Sequence, residues 1–197
     1  MTHKVIALIP KDDISRDFLI ARAMAISHYA MLENSLSRLY SHLMGVAEDI
    51  AGIAFFRINN ARSRSAILER LLKKKYGDTY NLFWNSLEKH LRNLDGTRNN
   101  VVHWATETYM NVDLPPGQQV TSLKLAPPNF WDKTENTSDM TIDALYDFIV
   151  KCDFFTRSIN VFILTISGTQ KVSQIWRDIC LQPINYPPPD NHPLSLK

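Results

Sequence analysis

The chain has 197 residues, 45% of them hydrophobic and 10% aromatic, and a formal net charge of +2. That composition can bury a single-domain core and excludes a globally disordered chain. Six glycines are too few for a turn-rich all-β protein. No stretch reaches the roughly 20 apolar residues of a membrane span.

The short apolar run at 5–10 is too brief for a secretory signal and leads directly into Lys11-Asp12-Asp13. Cys152 and Cys180 fit a reduced thiol pair better than a disulfide scaffold. The expectation is a soluble cytoplasmic protein with no membrane partner.

Asp12 or Asp13 can cap a first long helix running to about residue 44. Its apolar rows are Phe18, Ala25, Leu32 and Leu39, with Tyr29, Leu36 and Leu43 beside them. That seven-residue repeat is the seam of a helix packed on helices. Met24, Met31 and Met44 read as core or dimer packing. Gly45 ends the helix.

A short helix follows at about 48–56. Asn59 or Asn60 caps a third, stopped by Gly77, with Ile67, Leu68, Leu71 and Leu72 on its apolar side. A fourth begins near Asp78 and carries Trp84, Leu87, Leu91, Leu94, Val101 and Ala105. In that register Arg98 falls on the apolar stripe, where a charge is costly unless it is paired or faces a cleft. Either Asp95-Gly96-Thr97 breaks the helix, or Arg98 points into a site; the second reading is preferred, because a helical Gly costs only about 1 kcal/mol relative to Ala.

Residues 106–139 read as a hairpin and loop insert. Strand-like segments flank Leu114-Pro115-Pro116-Gly117, and a polar run follows at 132–139. Thr141 caps a last long helix over 142–166, with Leu145, Phe148, Ile149, Phe155, Ile159, Phe162 and Ile163 facing a core; Gly168 ends it. A short helix over 173–181 precedes a Pro-rich tail that lies extended over the surface or frays. The predicted fold is mainly α: an up-and-down bundle of four to five helices with a small β-hairpin insert. One domain spans 1–182, and the tail occupies 183–197.

Charge is unevenly placed. Residues 57–98 hold ten Lys or Arg against four acids, a net of +6, which leaves −4 for the remainder. A basic segment suits a nucleic-acid partner; the solvated end of a helix accounts equally well for Lys73-Lys74-Lys75.

The basic segment ends on Arg98-Asn99-Asn100-Val101-Val102-His103-Trp104. Arg offers a planar fork of donors to phosphate oxygens. Neutral His can take or give a proton near pH 7. Asn99 and His103, four apart, share a helix face, and Arg98 is about 140° round from His103. A second helix or subunit is needed to close a pocket over them.

Arg-Asn-x-x-x-His late in a helical bundle resembles the signature of the HEPN superfamily (higher eukaryotes and prokaryotes nucleotide-binding). The likeness covers roughly residues 13–167 as a helix pattern, and the motif is its specific part. Arg followed by His at relaxed spacing is common, and Arg22 with His28 satisfies it with no function assigned. Asn99 directly after Arg98, with four residues before His103, makes the later copy distinctive.

The resemblance implies a metal-independent endoribonuclease, with an active site completed in a homodimer and no cofactor. Relatives serve as toxins or phage-defence effectors, so an antitoxin or regulatory protein is a further expected partner. Arg98, Asn99 and His103 would be catalytic: His103 as acid or base, Arg98 on the phosphorane oxygens, and Asn99 holding one of the two. Lys89, Arg92, Arg62 and Trp104 are candidate RNA-binding residues. A Trp such as Trp104 can stack on a base, but is more often packing. Glu48 or Asp49 could supply the acidic assistant seen in some relatives.

Two other readings compete. One is a non-catalytic HEPN-like module that binds nucleotide, RNA or protein. The other is a scaffold in which a buried acid satisfies Arg98. Histidines scattered at 3, 28, 42, 90, 103 and 192 give no zinc-ligand spacing, and there is no Gly-rich phosphate loop.

Overall fold

The computed structural model describes residues 13–110, 121–127, 140–168 and 173–195. The run at 5–10, the Leu114-Pro115-Pro116-Gly117 segment and the polar run at 132–139 lie outside them. Helix α1 (Asp13–Met44) and helix α5 (Ile142–Ser167) pack along each other and form the spine. Helices α2 (Glu48–Phe55), α3 (Ala61–Tyr76) and α4 (Asn81–His103) surround α1. Strands β1 (Ala105–Met110) and β2 (Thr121–Ala126) form an antiparallel pair, and α6 (Gln174–Ile179) follows α5. The fold is a mainly α bundle with a small hairpin insert.

Local chemistry sets the helix ends. The Asn60 side chain accepts from the Ser63 N–H (2.6 Å), and Thr141 Oγ1 accepts from the Ala144 N–H (3.3 Å). Gly77 and Gly168 adopt positive φ at the ends of α3 and α5. Helix α4 runs unbroken through Gly96, so the register that puts Arg98 on the apolar stripe is kept.

Six of the seven heptad-row residues of α1, Phe18, Ala25, Tyr29, Leu32, Leu39 and Leu43, join Phe148, Phe155, Ile159 and Phe162 of α5 in one core, and Leu36 packs partly buried against it. Each large apolar side chain fully buried there contributes about 1.5–3 kcal/mol. Cys152 and Cys180 are free and buried. Burial pushes the Cys152 thiol up to about 12 and the Cys180 thiol up to about 11.

Two expectations that left alternatives open are narrowed. Of the two readings of Met24, Met31 and Met44, core or dimer packing, the core one falls: they are 41%, 49% and 46% exposed. The tail, expected extended over the surface or frayed, takes the first course through residue 195, with Ile184, Tyr186 and Leu194 against the core. Ile184 is buried and its N–H donates to Ser86 Oγ (2.8 Å), while Tyr186 packs on Phe154 and Phe155. Apolar residues among the prolines give the tail something to bury.

Candidate functional site

Arg98, Asn99 and His103 occupy the last turns of α4, beside the N-terminal half of α1. The Arg98 side chain is half-buried. Its guanidinium carbon stands 5.7 Å from the centroid of the Tyr29 ring, and Nη1 donates to Asn99 Oδ1 (3.2 Å). No ion pair involves Arg98 among the described residues, so the buried-acid scaffold finds no partner for it. A cation over an aromatic face is held without being neutralised, and its remaining donors stay available.

Tyr29 is fixed from its other end. Its hydroxyl donates to Asp95 Oδ1 (2.9 Å), one turn before Arg98 on α4. Burial, and then the Asp95 carboxylate, hold the phenol far above its ordinary range, so it remains a donor. Asp95 is the acid that the structure brings to this place. Glu48 pairs instead with Arg38, nine residues along α1 from Tyr29, a rise of about 13 Å. Asp49 stays in the first turn of α2 beside it.

Asn99 and His103 are exposed. Lys89, Arg92 and Gly96 continue the same row at helical spacing and are exposed as well. Arg92 is clasped by Glu88 through Nη2 (2.6 and 2.7 Å) and Nε (3.0 Å). Arg62, in the first turn of α3, lines a cleft with Arg92, Tyr29 and Asp95. The motif and three of the four expected RNA-binding residues thus share one side of the molecule. Trp104 does not belong with them. It is 5% exposed and part of the core, because the chain turns from helix into β1 at this residue.

The residue that sequence reasoning missed is Arg22. Its Nε donates to the Val101 carbonyl (2.9 Å), and its Nη2 donates to the carbonyls of Val102 (3.1 Å) and Trp104 (2.9 Å). Nη1 reaches Thr106 Oγ1 (3.3 Å). These acceptors flank His103 on both sides. A helix end leaves carbonyls without intrahelical partners, and one guanidinium on α1 satisfies two of those of α4 and the carbonyl of Trp104 just beyond it. The available signal was a cation next to the apolar row Phe18, Ala21 and Ala25, a place that calls for a specific partner.

One face of α1 bordering this site is apolar and open. Leu19, Ile20, Met24, Ile26 and Met31 are each 40–49% exposed, with Ala23, Ser27 and Ala30 exposed between them. No charged residue is exposed on α1 from 18 to 32. No described helix is long and apolar enough to cross a membrane.

Comparison with family models, with curated proteins and with solved structures gives no match.

Proposed function

We propose that this chain is a HEPN-type, metal-independent endoribonuclease of the cytoplasm, a toxin or phage-defence effector restrained by an antitoxin or regulatory protein. The observation that carries the reading is the grouping on α4. An un-neutralised Arg98 guanidinium is held between Tyr29 and Asn99, and an exposed His103 lies on the same helix face as Asn99.

The chemistry follows from those groups. The RNA 2′-oxygen bonds to the adjacent phosphorus, its proton passing to an imidazole. The P–O5′ bond breaks and the 5′-oxygen takes up a proton, leaving a 2′,3′-cyclic phosphate and a 5′-hydroxyl. His103 serves as base or acid. Arg98 carries the charge that grows on the phosphorane oxygens. Asn99 steers Arg98, the role its 3.2 Å contact supports. Lys89, Arg62 and Arg92 hold flanking phosphates.

The site is open to solvent and gains a second wall in a homodimer. The apolar face of α1 supports this arrangement: monomers rarely expose large contiguous apolar patches, and a two-fold contact here would draw two motif-bearing ends together. RNA cleavage in the presence of EDTA, lost in Arg98→Ala and in His103→Ala, tests the proposal. RNA binding without any product would favour the non-catalytic module.

A further inference from the structure

Between α1, α3 and α4 lies a cleft of about 190 Å³ that shares Tyr29 with the Arg98 contact. Its charged and phenolic lining is Tyr29, Glu33, Arg62, Arg64, Arg92 and Asp95, and Leu36 and Leu91 give it apolar walls. Arg64 and Glu33 are locked together at 2.7 Å with side chains only 15% and 19% exposed, and Arg64 Nε is buried with no acceptor among the described residues. Among the described residues Asp95 receives one hydrogen bond, from Tyr29, and a carboxylate has lone pairs for about three more. Arg62 is exposed and has no ion-pair partner among the described residues.

This arrangement asks for a ligand with three properties. Flat apolar faces would suit the leucine walls. A donor edge would suit Asp95, and an anionic substituent would suit Arg62. A nucleotide has all three. The cleft is smaller than the roughly 300–1,000 Å³ pockets that enclose drug-sized ligands, so it takes the base and leaves the phosphate at its mouth. Among the four RNA bases, guanine alone presents two parallel donors, N1–H and N2–H, that one carboxylate can accept together.

We propose that this cleft is a base-reading subsite that selects guanine, with Asp95 on the N1–H and N2–H edge and Arg62 on the phosphate. The inference rests on the RNA reading above. Tyr29 ties the two places together, its hydroxyl on Asp95 and its ring under Arg98. A guanosine seated in the cleft therefore lies next to the phosphate at which Arg98 acts.

Binding of the 5′-monophosphates of guanosine, inosine, adenosine, cytidine and uridine to the full chain tests this without any need for cleavage. GMP should bind about tenfold tighter than AMP, CMP or UMP, and IMP, which lacks the N2 amino group, should fall between. Asp95→Asn keeps an acceptor for Tyr29 but loses the paired acceptors, and should erase the ranking while leaving weak common binding. Arg62→Ala, at an exposed position, should weaken all five by a similar factor.

Equal affinities in the wild type, or no binding of GMP, would overturn the proposal, and the wild-type ranking needs no variant. A GMP preference that survives Asp95→Asn would do the same. RNA cut through Arg98 and His103 with no GMP preference would remove the subsite alone. A GMP preference on a chain that cuts nothing would remove the catalytic reading and leave the subsite.

Discussion

Arg22 Nε lies 2.9 Å from the carbonyl oxygen of Val101, a bond that spans 79 residues of sequence. Through it and two companion bonds, α1 holds the end of α4 on both sides of His103. The candidate site is therefore set by an interhelical clamp as well as by its own helix.

Removing that clamp should be costly. Arg22→Ala leaves three carbonyls at the end of α4 without this donor, and should lower unfolding free energy by about 2 kcal/mol. Arg22→Lys should recover less than half of the loss, because an ammonium cannot reproduce the guanidinium fork. Urea unfolding of the three proteins measures this, and equal midpoints for Ala and wild type would show the clamp to be idle.

Arg98 should behave differently. It is half-buried, unpaired with any acid among the described residues, and set over Tyr29. Arg98→Ala should therefore change stability by no more than about 1 kcal/mol. A thermal melt within a few degrees of wild type separates loss of activity from loss of fold. A collapse of stability would instead mark Arg98 as structural.

The apolar side of α1 should carry the dimer. Met24→Arg places a charge at an exposed position of that face, so the fold is kept while self-association is lost. Light scattering behind size exclusion should report a dimer for wild type and a monomer for the variant. A wild type that remains monomeric at high concentration would remove the composite site.

Stability should fall on both sides of neutrality. Burial lowers the affinity of His42, His90 and His192 for a proton in the fold. Below about pH 6.5 the unfolded chain binds more protons than the folded one, so stability drops as pH falls. Burial raises the thiols of Cys152 and Cys180 and the phenols of Tyr29, Tyr76, Tyr80 and Tyr186. Above about pH 8.5 the folded chain keeps protons that the unfolded one releases, so stability drops as pH rises. Denaturation midpoints measured from pH 5 to 10 should trace a plateau between these limits; midpoints that keep rising above pH 9 would contradict it.

Much of the bundle was legible because it follows from local rules. Asn60, Thr141, Gly77 and Gly168 mark helix ends by side-chain chemistry and φ, and the heptad rows of α1 mark its buried side. Arg98 was legible too, since a helix that continues through Gly96 fixes its register. Arg22 was not. Its partners are backbone carbonyls about 80 residues away, which no side-chain pattern announces. The exposed methionines were hidden for a related reason: Met24 and Met31 are as apolar as their buried neighbours, and only the placement of α4 and α5 decides which side of α1 is covered. Asp95 was passed over in favour of Glu48 and Asp49 because its link to Arg98 runs through Tyr29, on another helix.

The most direct test incubates purified protein with RNA in EDTA and identifies the product ends. The account predicts 2′,3′-cyclic phosphate ends from wild type, and rates reduced by about a hundredfold or more in Arg98→Ala and in His103→Ala. Cleavage undiminished in both variants, or intact RNA with the folded wild type, would contradict it.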